Sequence, residues 1–266
     1  MTSIYSRLDN QMKTKDTLLC CGVDPDIRHI PTKFFSSSVQ SGILKYITGL
    51  VDDTYDIVCA YKIQKAFFDQ WAFGRELLYG TVATIRSRDK ELPIFLDCKI
   101  GDIGNTMEVY LSTLFGFGVD GIVVNPYMGD ETLMPFVNMP NLCALPLVRT
   151  SNPGAMTTQD VRLGDGRMYW EYMLDLVMKH NTSKNMVPIL SSTTGYDYPK
   201  VRDIIGDATV VLLAGVGAQG GSIDALKGLK NQGGRGVFVN SSRAIMYPSD
   251  GDIRKSALQL RRRLNE

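Results

Sequence analysis

The chain has 266 residues, of which 44% are hydrophobic and 21% charged, and a formal net charge of +1. This is ordinary globular composition with length for one large core or two small ones. Its near-neutral balance calls for neither nucleic acid nor an anionic membrane as partner. The N-terminal stretch MTSIYSRLDNQMKTKD has no apolar signal core, and no apolar run approaches the roughly 18 residues that span a bilayer, so a cytoplasmic protein is expected.

Short apolar runs recur along the chain: TLLCCGVD (17–24), DIVCAYKIQ (56–64), PIFLDCK (93–99), GIVVNPY (121–127), LCALPLV (142–148), VPILSST (187–193), TVVLLAGVG (209–217) and GVFVNSS (236–242). Each has strand length and is rich in β-branched, Leu or aromatic residues. Segments of helical period lie between them. In 70–88, Trp71, Leu77, Leu78, Val82 and Ile85 fall close to one face. Segments 106–118 and 167–180 behave alike, and 252–264 places Ile253, Ala257, Leu260 and Leu264 on one side. The basic cluster of that last segment reads as a solvated helix face rather than a nucleic-acid site. Strict alternation predicts parallel strands with crossover helices. Eight units in this length predict a (β/α)8 TIM barrel, one domain over residues 1–266, with an open doubly wound sheet as the alternative. No Pro/Gly/Ser linker or charge run divides the chain. The longest connection, SNPGAMTTQDVRLGDG (151–166), has the length of a lid or binding loop.

The five cysteines, Cys20, Cys21, Cys59, Cys98 and Cys143, all lie in apolar runs without a C-x-x-C, which predicts reduced core residues. His29 and His180 are the only histidines and lack metal-ligand spacing, so no metal site is expected. Any catalysis falls to Lys, Asp, Ser and Arg.

Chemistry in such a barrel sits at the C-terminal ends of its strands. The first run ends at Asp24, the second at Lys62 and the third at Asp97 and Lys99. Ser151 and Asn152 follow the fifth, Ser191 to Thr193 the sixth, GVGAQGG (215–221) the seventh and NSSR (240–243) the eighth. In the third strand, alternation puts Phe95, Asp97 and Lys99 on one face. Asp102 follows Gly101, where the chain can turn. A strand introduced by PIFL is central, and buried carboxylates need compensation. Lys62, on one face with Val58 and Ala60, is the natural partner. A surface salt-bridge cluster is the plainer reading; burial favours a functional charged site.

GVGAQG (215–220) matches G-x-G-x-x-G, yet the next strand carries no acidic residue to hold a ribose. A phosphate monoester suits this Gly-rich turn better. Loops after strands seven and eight are the usual phosphate site of these barrels, and Arg243 can add a charge-assisted contact.

These residues resemble the orotidine 5′-monophosphate decarboxylase family. Its pattern D-x-K-x-x-D-I-x-x-T is met by Asp97, Lys99, Asp102, Ile103 and Thr106. GVDPD (22–26), AYK (60–62), SNPGA (151–155), GVGAQGG (215–221) and NSSRAI (240–245) are similar too, in the expected order over nearly the whole chain. Related barrels that act on sugar phosphates with magnesium share D-x-K-x-x-D but place a Glu near the end of the second strand, where this chain has Lys62. The resemblance implies a cofactor-free decarboxylase acting on a nucleotide. Lys62, Asp97, Lys99 and Asp102 would form its Lys/Asp array, with Asp97 facing the substrate carboxylate and Lys99 as proton donor. Asp24 and Lys62 would hold ribose hydroxyls, and Ser151 the pyrimidine. Gln219, Gly220, Ser242 and Arg243 would hold the phosphate; Ser242 stands where the family often has Gly. Asp102 and Thr106 would reach the neighbouring subunit's site, which implies a homodimer with shared active sites. Two other readings stay open: a magnesium-dependent sugar-phosphate lyase or epimerase, and a nucleotide-binding barrel without turnover.

Overall fold

Each apolar run forms a strand: β1 (Leu19–Val23), β2 (Ala60–Gln64), β3 (Ile94–Ile100), β4 (Gly121–Val124), β5 (Cys143–Pro146), β6 (Ile189–Ser191), β7 (Val211–Ala214) and β8 (Val237–Ser241). The structure is a computed structural model that describes all residues except 1–2, 140, 194–195 and 217–222, with no side chain described at Ile223. The strands are parallel, in the order β5-β4-β3-β2-β1-β8-β7-β6. The two outer strands, β5 and β6, meet through parallel bridges Ala144–Met186 and Leu147–Ile189. Val187 N donates to Ala144 O at 2.8 Å and Val148 N to Ile189 O at 3.1 Å across this seam. The sheet is therefore a barrel, not an open doubly wound sheet. Strands buried on both faces need no polar alternation, which is why their sequences read as continuous apolar runs.

Helices α2 (Val39–Thr54), α3 (Ala66–Asp69), α4 (Gly74–Arg88), α5 (Gly104–Phe115), α6 (Asp130–Asn138), α7 (Tyr169–His180), α8 (Tyr198–Ile205) and α9 (Ile223–Leu229) occupy the connections, and α10 (Arg243–Met246) and α11 (Ile253–Asn265) follow β8. Their starts carry the expected chemistry: Ser38, Asp197 and Asp252 accept the N–H groups of Ser41, Lys200 and Lys255. The segment expected to be helical over 70–88 begins at Gly74 instead: Trp71 and Phe73, stacked at 5.3 Å, lie in turns after α3 that are closed by Trp71 N to Phe68 O and Gly74 N to Trp71 O.

One helix precedes the first strand. Helix α1 (Ile4–Thr14), capped by Ser3, closes the end of the barrel opposite the strand C-termini. Its Leu8 and Met12 are buried, and the Tyr5 hydroxyl donates to Met186 O. Arg7 Nη1 lies 2.6 Å from Asp120 Oδ1, and Arg86 Nη2 lies 2.6 Å from Asp120 Oδ2. Asp120 also accepts Ile94 N at 2.7 Å, so the start of β3 is fixed from below.

All five cysteines are free, and all but the partly buried Cys98 are fully buried, as their apolar runs predict. Inside the barrel, Phe95 of β3 stacks on Phe238 of β8 at 5.9 Å. One step further along the same faces stand Asp97 and Asn240. In register, Lys62 pairs with Gly22 and Phe95, and Cys20 with Asn240. The inward face thus changes from aromatic to charged in one residue pair, at the end where the strands finish.

Candidate active site

Asp97 is the hub. Its Oδ2 lies 2.5 Å from Lys62 Nζ and its Oδ1 lies 2.6 Å from Lys99 Nζ. Gln64 Nε2 adds a donor to Oδ2 at 3.3 Å. The side chains of Lys62 and Asp97 are 9% and 8% exposed, that of Lys99 48%, so a buried ion pair carries one ammonium reaching into open space. Burial alone would raise the Asp97 pKa, but Lys62 and Lys99 outweigh it and hold the carboxyl below its ordinary value. Burial likewise works against the Lys62 charge; Asp97 and Asp24 overcome it and lift the ammonium above the usual lysine value. Both groups are thereby kept charged at neutral pH.

Lys99 reaches Asp97 by an unexpected route. Its φ is +48°, left-handed for a residue with a side chain, and the β3–β4 register shifts between Leu96 and Ile100. Simple alternation holds through Cys98, whose Sγ turns away toward Val123 O at 3.5 Å. The irregularity then directs the Lys99 side chain back to the barrel mouth.

Asp24, at the end of β1, feels both partners of the pair. Burial raises its carboxyl pKa, and Lys62 and the Ser242 hydroxyl pull it back only in part. Its Oδ1 is buried without a hydrogen-bond partner among the described residues, which leaves an acceptor for a ligand hydroxyl. The backbone around it is braced by Tyr247, whose hydroxyl donates to Asp24 O at 3.0 Å while accepting Asp26 N at 2.8 Å.

A cavity of about 370 Å³ opens over this array. Lys62, Asp97, Lys99, Ser151, Ser242 and Arg243 line it, together with Asn152, Asn240 and the apolar Leu147, Ile189 and Leu212. It therefore joins a charged wall, an apolar wall and an arginine at the first residue of α10. Two glycines make room. A Cβ on Gly22 would stand 1.9 Å from Ser242 Oγ, and one on Gly215 (φ +90°) 2.8 Å from Ser151 Cβ.

The structure does not bring every expected residue to this cavity. Asp102 Oδ1 accepts its neighbour Ile103 N at 2.8 Å, and Thr106 is exposed in the first turn of α5. Neither lines the cavity of its own chain, and Asp24, its Oδ1 buried near Lys62 and Ser242, is not among its lining residues either. Gln219 and Gly220 lie outside the described residues. Asn240, a member of the NSSR run, lines the cavity, and Tyr247 supports the Asp24 backbone from outside it; neither carries an individual signal in the sequence. Among the described residues no group of three or more His, Cys, Asp or Glu is arranged to hold a metal ion.

A family model described as "Orotidine 5′-phosphate decarboxylase / HUMPS family" matches residues 17–253. An orotidine 5′-phosphate decarboxylase from Cellvibrio japonicus is 33% identical over 270 aligned positions, covering 99% of this chain and 98% of the relative. One from Aromatoleum aromaticum is 35% identical, covering 95% of each. Among solved structures, the OMP decarboxylase of Leishmania donovani superposes with a TM-score of 0.84 at 26% identity, covering 99% of this chain and 98% of that one. The UMP synthase of the same organism gives a TM-score of 0.86 at 28% identity, covering all of this chain and 56% of the longer one.

Proposed function

Because the chain belongs to the orotidine 5′-phosphate decarboxylase / HUMPS family, we propose that it converts orotidine 5′-monophosphate to uridine 5′-monophosphate, the last step of de novo pyrimidine nucleotide synthesis. The observation that carries this reading is the Asp97 carboxylate held between two ammonium groups, one buried and one facing the cavity. Decarboxylation breaks a carbon–carbon bond and leaves an electron pair on a ring carbon. Lys99 is the group that stabilises this charge and then delivers a proton to it. Asp97 orients the Lys99 ammonium through their 2.6 Å contact, and faces the departing carboxylate. Lys62 secures Asp97 and, with the unpartnered Oδ1 of Asp24, takes the ribose hydroxyls.

Ser151 meets the pyrimidine from the lid. Arg243 grips the phosphate by a charge-assisted contact, helped by the backbone at Ser242 and by Gln219 and Gly220 of the Gly-rich turn. Binding the phosphate away from the reacting carbon supplies energy for the chemical step. No electron sink is required beyond the Lys99 ammonium, so the reaction runs without a cofactor or metal. Asp102 and Thr106 complete the site of a second subunit in a homodimer.

The test is turnover of orotidine 5′-monophosphate, followed by loss of its ultraviolet absorbance in the presence of a chelator. Full activity is expected with chelator, and a loss greater than about 10³-fold in Lys99→Ala. Inactivation by chelator would instead place the chain with the magnesium-dependent sugar-phosphate enzymes. Undiminished turnover by Lys99→Ala would overturn the assignment of the proton donor.

A further inference from the structure

The chain leaving β5 carries a polar device outside the charged array. Arg149 is 2% exposed, and its guanidinium forks onto Asp160: Nε donates to Oδ1 at 2.8 Å and Nη2 to Oδ2 at 2.7 Å. Nη1 donates to the Thr150 carbonyl. Beside this pair, Gln159 Oε1 accepts Thr150 N at 2.8 Å, and Gln159 Nε2 donates to Thr150 Oγ1 at 3.0 Å. The far end is anchored in turn, because Trp170 N at the start of α7 donates to Gln159 O at 3.0 Å. Residues 149–150 and 159–160 therefore clasp the two ends of one loop.

Ser151 and Asn152 are the first residues inside the clasp, and both line the cavity. Thr150 Oγ1 donates to Asn152 Oδ1 at 2.7 Å, and Thr193 Oγ1 donates to Ser151 O at 3.3 Å. The middle of the loop is seated by Ala155, 1% exposed. An arginine fork fixes orientation as well as distance, which a lysine point charge does not. Taking a guanidinium out of water is costly and is worthwhile only with full pairing. Here the gain is a loop whose contact residues are ordered before any ligand arrives, which lowers the entropy cost of binding.

We propose that Arg149 and Asp160 are positioning residues that hold Ser151 and Asn152 against the base end of the bound nucleotide. This rests on the proposed decarboxylase reading, which sets the base beside Ser151 and the phosphate beside Arg243. The pair touches no reacting atom. It acts through Ser151, so it governs recognition of the pyrimidine and not of the ribose phosphate.

The experiment compares Arg149→Lys, Asp160→Asn and the milder Gln159→Ala, which leaves the Arg149–Asp160 pair intact and so retains the fold. Uridine 5′-monophosphate and ribose 5-phosphate serve as binding probes, with amide hydrogen exchange over 151–158 measured on the unliganded proteins. The pair variants should weaken uridine 5′-monophosphate binding and raise KM about tenfold or more, while ribose 5-phosphate binding changes less than about twofold. Exchange over 151–158 should quicken in the same variants, with Gln159→Ala shifting in the same direction by less. Equal weakening of both probes, or unchanged nucleotide binding with unchanged exchange, would overturn the proposal. Should the wild-type protein fail to turn over orotidine 5′-monophosphate, the decarboxylase reading fails. The exchange comparison then still decides whether the clasp orders the loop.

Discussion

Asp97 is caught between lysines on two strands, and what it contributes depends on pH. A carboxyl held below its unfolded pKa adds stability that is present above the unfolded value, about 3.9, and is lost as pH falls through the folded one. Lys62, held above its unfolded value, adds stability that is fully present below about 10.4 and is lost as pH rises through its folded pKa. Asp97→Asn leaves a buried ammonium without its partner. It should cost about 3 kcal/mol at neutral pH in urea unfolding, and its stability should vary less than wild type's below about pH 4. The paired residues were legible in the sequence because period-two alternation sets Asp97 on the face of Phe95 and Lys62 on the face of Val58 and Ala60; the structure then pairs Lys62 with Phe95, one step below Asp97. The backbone of Lys99 was not legible: its φ of +48° arises from a register shift against β4, a relation between strands that one strand's pattern does not contain. That conformation has a cost of its own. Lys99→Gly and Lys99→Ala both lose the ammonium, but the glycine variant should be the more stable by about 1 kcal/mol in the same measurement.

At the scale of elements, every strand was readable as an apolar run because burial on both faces removes polar interruption. The long 151–166 connection was readable as a binding loop by length, but not as a clasped one, since Arg149 and Asp160 are apart in sequence and each reads alone as a surface charge. Helix α1 illustrates another gap. Ser3 at its cap and Ile4, Tyr5, Leu8 and Met12 along one face carry a helical signal, yet the segment precedes the first strand and so falls outside the strand–helix alternation. What it contributes is tertiary: it seals the barrel floor and ties β3 and β4 through Arg7 and Asp120. Leu8→Ala, at a position with 0% exposure, should therefore destabilise the protein by about 3 kcal/mol. Because the floor and the cavity lie at opposite ends of the barrel, KM should stay at the wild-type value, and paired unfolding and kinetic measurements check both halves of that expectation.

At the scale of the molecule, the surface beyond β3 looks unfinished in a single chain. Ile103 is 50% exposed and Val109 65%, on the segment that carries Asp102 and Thr106, and Tyr127 is 79% and Met128 53% exposed in the turn after β4. A concave surface lies alongside between α3, α4 and α5, with Lys65, Tyr110 and Phe117 among its residues, and it shares Asp97 and Lys99 with the cavity. These features support the proposed homodimer, in which Asp102 and Thr106 serve the site of the other subunit. A symmetric interface uses the same patch twice, so one short segment from each chain would complete the partner's array. Lys99→Ala and Asp102→Ala should each be nearly inactive as homodimers. In a mixed dimer, one site collects both substitutions and the other collects neither. Unfolding and refolding the two variants together in equal amounts should therefore restore about a quarter of wild-type activity, with half the dimers mixed and one of their two sites intact. Recovery should be absent when either variant is refolded alone. If the mixture remains as inactive as its components while an affinity tag on one variant captures the untagged other, Asp102 acts within its own chain or not at all, and the shared-site arrangement is wrong.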